Sequence, residues 1–168
     1  MMNDIYSLEY INKLSKTKAK SIVAFILIIV SSISLNIGLL FLTNQSNKII
    51  MIIVLSLIFT LAAWFAIWLL IEGILFTSKK IEFIKNLFNS ESKLINGRVI
   101  EIKKPITFSK AIRCYAVIID SGQSTDQIIY VDEMIGALPI KKEDNVQFLI
   151  SKNFAIQYEV LKDDEEKL

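Results

Sequence analysis

The chain has 168 residues, 53% hydrophobic and 21% charged, with a net charge of +2 and a mean hydropathy of +0.49. That composition excludes a disordered protein and carries more apolar surface than an ordinary soluble domain. Without histidine, and with Cys114 as its one cysteine, the chain lacks a disulfide framework, the usual zinc sites and any Ser-His-Asp or Cys-His catalytic pair.

In chain order, residues 1–20 read as an amphipathic segment. Asn3-Asp4 is placed to cap a short helix bearing Ile5, Leu8, Ile11 and Leu14, and Lys13, Lys16, Lys18 and Lys20 follow. From Ser21 to Thr43 there is no charge, and at about 1.5 Å per residue this run exceeds the ~30 Å hydrocarbon thickness of a bilayer. It is longer than the apolar region of a signal peptide, and no A-x-A site follows. A second uncharged run spans Ile49 to Ile71 and, after Glu72, stays apolar through Phe76. Two such runs need more covering polypeptide than this chain has, so residues 21–76 are expected to form a transmembrane hairpin with spans 21–43 and 49–76. The lipid bilayer is its first expected partner. The link of residues 44–48 is short enough to force the spans antiparallel.

Charge sets the orientation. Lys13, Lys16, Lys18 and Lys20 precede the first span and Lys79, Lys80, Lys85 and Lys93 follow the second, against Lys48 alone in the link. The positive-inside rule then puts both termini in the cytoplasm of a multi-pass protein of the inner membrane, a reducing compartment that suits a free cysteine. Ser31, Ser34 and Gly38 on the first helix and Ser56, Thr60 and Ala63 on the second form two small-residue stripes, expected to bring the helices together or to serve a homo-oligomer. Lys20 and Glu72 fall at the same counted depth, where a boundary ion pair is expected. Asn36 is expected to hydrogen-bond to the partner helix, and Trp64 and Trp68 fit an aromatic belt.

Past the second span, Ile81, Ile84, Leu87 and Phe88 recur at helical spacing, so residues 77–93 predict an amphipathic juxtamembrane helix and linker. This helix can continue the span, lie along the headgroups or pack on the domain that follows. Asn89-Ser90-Glu91-Ser92-Lys93 breaks the period and marks the boundary. From Leu94 the period falls to two. Strands are predicted at Ile95–Ile102, Arg113–Ile119, Gln127–Val131, Asn145–Ile150 and Phe154–Val160, with Pro105 and Pro139 in the links and a hairpin at Ser151-Lys152-Asn153. Gly97 is expected to mark a bulge. The fold class is thus an α+β membrane protein, a two-helix hairpin followed by a five-stranded SH3-like or OB-like β-barrel over residues 94–168, with an acidic tail.

In plan, helices followed by a small C-terminal barrel, the chain resembles NfeD-type membrane proteins. Gly97-Arg98-Val99-Ile100-Glu101-Ile102 resembles the glycine-valine-isoleucine strand of mechanosensitive channels of small conductance, whose last membrane helix leads into a compact β domain. The bulky second span departs from the glycine- and alanine-rich pore helix of that family. The hairpin-plus-barrel plan is also similar to antiphage cyclic-nucleotide effectors, whose barrels need more strands than residues 94–168 provide. No family is assigned on these likenesses.

No Walker A, GxGxxG or HExxH motif occurs, and Cys114 sits inside an apolar strand. The carboxylate pairs Asp132-Glu133 and Glu143-Asp144 and the terminal Asp163 to Glu166 read as solvated turn and tail residues. No catalysis, cofactor or metal is expected. Lys103, Lys104, Phe108, Lys110 and Arg113 surround one link and form the candidate binding group. From Leu94 onward 10 basic residues meet 12 acidic ones, which disfavours nucleic acid and favours an acidic protein or lipid headgroups. The leading expectation is a non-enzymatic membrane protein displaying its barrel for binding an unknown protein or itself. Two others stand beside it: a subunit of an oligomeric channel or transporter with Ser34, Asn36, Gly38, Ser56 and Thr60 around a hydrated path, and an effector whose barrel senses a nucleotide or anionic headgroup.

Overall fold

The structure, a computed structural model, describes residues 2–44, 46–109, 112–122, 125–133 and 138–161. It divides into two units, Asn12–Ser78 and a second made of Met1–Ile11 with Lys79–Leu168.

Helix α1 runs over Leu8–Phe41. Its start differs from the expectation at Asn3-Asp4, because those residues form a two-residue strand, β1 (Asn3–Asp4), and the Ser7 hydroxyl accepts the Tyr10 N–H at 3.1 Å instead. A capping oxygen accepts from the amide two or three residues further on, and Ser7 meets that spacing with Tyr10. The amphipathic segment and the first apolar run are therefore one continuous helix. In the link, the Asn44 N–H donates to Asn47 Oδ1 at 2.7 Å, while the Asn47 N–H donates to Asn44 Oδ1 at 3.1 Å. Helix α2 follows over Lys48–Trp68, widens into a π-helical segment at Leu69–Phe76 and continues as α3 over Thr77–Phe88.

Both helices are long and apolar enough to cross a membrane, and only 6% and 0% of their most apolar windows are buried inside the chain. The core helix of a soluble protein would be covered. The less exposed positions recur every three to four residues, at Phe25, Ile28, Ser32, Asn36 and Leu39 on α1 and at Leu55, Ile58, Ala62, Ala66 and Leu69 on the second helix. This is the spacing of a supercoiled helix pair.

The other unit is built on β2 (Lys93–Ser109), β3 (Ile112–Asp120), β4 (Gln127–Asp132), β5 (Asn145–Ser151) and β6 (Phe154–Leu161). With β1 they make a six-stranded sheet of order β1-β6-β4-β3-β2-β5, in which β6 also pairs with β5. Its ladders are antiparallel except for one parallel bridge, Tyr130 to Phe154. The predicted strands stand within a residue or two of their ends, with one exception: β2 runs on through Lys103–Ser109, expected as a link. Its register shifts between Lys103 and Ile106 and between Thr107 and Ser109, so Pro105 falls at a bulge, where no ladder hydrogen bond asks for its missing N–H.

Strand β2 serves two neighbours. Lys93–Arg98 pairs with β5 and Arg98–Ser109 with β3. At the handover a Cβ on Gly97 would lie 2.5 Å from the Asp120 carbonyl oxygen, so glycine is required there by close backbone approach. The register shift itself lies further on, between Val99 and Glu101. The β5–β6 hairpin closes through Lys152 (φ 50°) and Asn153 (φ 68°), two left-handed residues in the manner of a type I′ turn, whose twist matches the strands.

Alternation splits the strands between two apolar layers. Val117, Ile119, Ile129, Val131, Val146, Phe148 and Ile150 point to one face and belong to the main core. Ile112, Cys114 and Ala116 lie on the opposite face of β3 and are also buried. Helix α3 packs there: Phe83 meets Phe154 edge-on at 5.0 Å, and Ile84 and Leu87 are fully covered. Each contributes about 1.5–3 kcal/mol. Of the three placements open to α3, it both continues the long helix and gives its apolar side to the sheet.

Candidate functional site

The binding group expected around one link is dispersed by the strand that replaces it. Lys103 pairs with Ala116 and Thr107 with Arg113 across the β2–β3 ribbon, so alternation puts Lys103 and Arg113 on opposite faces. Arg113 forms an ion pair with Glu133 at 3.1 Å. Phe108 joins an aromatic group, 4.5 Å from Tyr130 and 5.2 Å from Phe154. Lys104 is exposed beside the bulge, and Lys110 lies outside the described residues.

The most buried charged group among the described residues lies elsewhere. Asp132, at the end of β4, is 2% exposed and sits opposite Cys114 in the β3–β4 ladder. A carboxylate so covered needs partners, because an unpaired buried charge costs several kcal/mol. Two are placed for it: the Tyr6 hydroxyl donates to Asp132 Oδ2 at 3.1 Å, and Lys80 Nζ stands 3.7 Å from the same oxygen. Tyr6 precedes α1 and Lys80 belongs to α3, so one carboxylate ties the chain before the first long helix to the chain after the second. Burial, then the Asp132 charge, holds the Tyr6 hydroxyl far above its ordinary value. Burial first and Asp132 second push the Cys114 thiol up to about 12, with Lys80 opposing. Cys114 is therefore a neutral, unreactive thiol at physiological pH.

Beside Glu133 in the sequence, Asp132 reads as a solvated acid. Its one signal was its phase, two residues past Tyr130 on an alternating strand, which places it on the face that α3 covers. Tyr6 gave none, since its partner is 126 positions away.

In the helices, Ser31, Ser34 and Gly38 are exposed, and a Cβ on Gly38 meets nothing within 4 Å. The stripe does not bring the helices together, because the contact face of α1 runs one position away, through Ser32 and Asn36. The close approach occurs at Gly73, where a Cβ would lie 2.5 Å from Ser21 Oγ. Ser56 and Thr60 are exposed, with the Thr60 hydroxyl donating to the Ser56 carbonyl at 2.8 Å. Ala63 lines an apolar cleft of about 320 Å³ with Ser32, Phe59 and Ala62, where the Ser32 hydroxyl has no hydrogen-bond partner among the described residues. Asn36 donates to the Ser32 carbonyl of its own helix at 2.7 Å, not to the partner helix. The Ser21–Gly73 contact brings the stretches that carry Lys20 and Glu72 side by side, yet both residues are exposed and no ion pair joins them among the described residues. One position from the contact, a side chain points about 100° away from it.

Among the described residues, no three His, Cys, Asp or Glu side chains gather to hold a metal ion. No family model, curated protein or solved structure matches the chain, so the likenesses in plan stay likenesses of plan.

Proposed function

We propose that this protein is a non-enzymatic, multi-pass protein of the inner membrane that displays a small β-barrel in the cytoplasm for binding a protein partner or a further copy of itself. One observation carries the reading. Two apolar helices are left uncovered by the rest of the chain, while the residues before the first and those after the second belong to one β unit. In a bilayer such a chain enters and returns on one side, and the lysine distribution makes that side the cytoplasm. The barrel rests on the pairing order, since β5 pairs with both β2 and β6, and the Tyr130–Phe154 bridge brings β6 back to β4. The binding role rests on apolar residues left open on the sheet, with Ile106 46% and Ile128 45% exposed.

A photo-activatable amino acid at Ile106 or Ile128, in the full-length chain in its native membrane, tests the role. A discrete covalent adduct with a protein is expected. No adduct at either position, together with a current across planar bilayers containing the purified protein, would replace the reading with the channel alternative.

A further inference from the structure

Strand β6 has two edges, and they are filled in different ways. One pairs with β5 along its whole length, from Phe154 opposite Ser151 to Leu161 opposite Asn145. The other edge is shared. Among the described residues β4 meets it only at the bridge from Tyr130 to Phe154, where the Tyr130 N–H donates to the Asn153 carbonyl at 2.8 Å. Further along, β1 takes over, pairing Asn3 with Tyr158 and Asp4 with Gln157, and the Ile5 N–H donates to the Ile156 carbonyl at 2.9 Å. Residues 3–6 thus fill a seam between β6 and β4. Alternation sends consecutive side chains to opposite layers: Ile5 packs against the main core, while Tyr6, 3% exposed, donates to Asp132 at the end of β4.

These are the contacts of strand addition, in which main-chain hydrogen bonds hold an extended segment and pockets on alternate faces read its side chains. Here the segment is the chain's own. Its departure leaves β6 paired with β5 and leaves Asp132 with Lys80 Nζ at 3.7 Å, so no buried charge loses its counterion. What departure does open is the β6 edge at Ile156–Tyr158, and an open edge is a template for another strand. Only a polypeptide carries main-chain donors and acceptors at strand spacing, which sets aside a lipid or a nucleotide. We infer that the seam between β4 and β6 is a strand-acceptor site for an extended segment of a protein partner, one carrying an apolar residue followed by tyrosine, and that residues 3–6 hold it shut. A partner has to displace a strap tethered to α1, an intramolecular competitor at high effective concentration. The seam does not involve the open positions Ile106 and Ile128, so it stands or falls apart from the binding role proposed for them.

A fluorescent peptide of residues 2–7, Met-Asn-Asp-Ile-Tyr-Ser, titrated onto the full-length protein in detergent and followed by anisotropy, tests it. A control peptide exchanges Ile and Tyr, which keeps the composition but puts each side chain on the wrong face. Asp4→Cys with Gln157→Cys, partners in the β1–β6 ladder, allows a disulfide to lock the strap, and the buried Cys114 adds no background. The native peptide is expected to bind the reduced chain at least tenfold more tightly than the control peptide does. It is expected to bind Tyr6→Ala at least tenfold more tightly again, and to lose binding when the disulfide forms. Binding to neither the reduced chain nor Tyr6→Ala, equal binding of the two peptides, or equal binding to the oxidised and reduced chains overturns the inference. Hydrogen exchange of the unaltered chain adds a check that needs no variant. Residues 2–7 are expected to exchange at least tenfold faster than β5 and β6, and exchange in step with those strands also overturns it.

Discussion

Gly97 and Gly38 are each a lone glycine inside a predicted element, and their surroundings differ completely. The Asp120 carbonyl stands where a Gly97 side chain would go, and no atom stands near Gly38. Gly97→Ala is therefore expected to destabilise the β unit by about 1–3 kcal/mol, the usual cost of overpacking, and Gly38→Ala, inside α1, to hold or raise the melting temperature, since alanine is the better helix former. Thermal melts of the purified full-length variants in detergent compare them. Cys114 gives a second prediction. Unfolded, its thiol loses its proton near the ordinary value of 9, whereas the folded chain keeps it to about 12. Between those values the folded state binds more protons, so stability falls as pH rises, by at most about 1.4 kcal/mol per unit from this group. Melts between pH 8 and 10 should show the decline, and Cys114→Ala should flatten it. An identical slope in the variant would remove Cys114 as its source.

At the scale of elements, strands were readable where one face is buried and the other wet, as in β5 and β6, whose alternation fixes their register. The second half of β2 was not readable, because Lys103-Lys104-Pro105 carries the composition of a loop. Only the partner strand β3 makes it a strand, with bulges absorbing the proline. The helix contact was misplaced for a related reason. Small residues recur at a helical period, but in α1 the contact positions carry Phe25, Ile28 and Leu39 as well as Ser32, so residue size does not mark them. The π-helical segment shifts the phase once more and delivers Gly73 to Ser21. Gly73→Leu should separate the helices there and lower the melting temperature in detergent, whereas Gly38→Leu should not. Equal effects would contradict the assigned contact.

For the whole molecule, the division into an apolar helical pair and a β unit was legible from hydropathy and period alone, because each follows from local composition. What joins the flanks was not. Tyr6, Lys80 and Asp132 come from three distant stretches, and nothing in the period of any one names the other two. Their meeting puts the residues before α1 and those after the second long helix into one body, the feature on which the proposed topology depends. Single-cysteine labelling of intact cells with a membrane-impermeant maleimide tests that topology most directly. Ser46→Cys, in the link, is expected to react from outside, and Thr125→Cys, in the β unit, only after the membrane is permeabilised. Labelling of Thr125→Cys in intact cells, or of neither site before permeabilisation, would contradict the account.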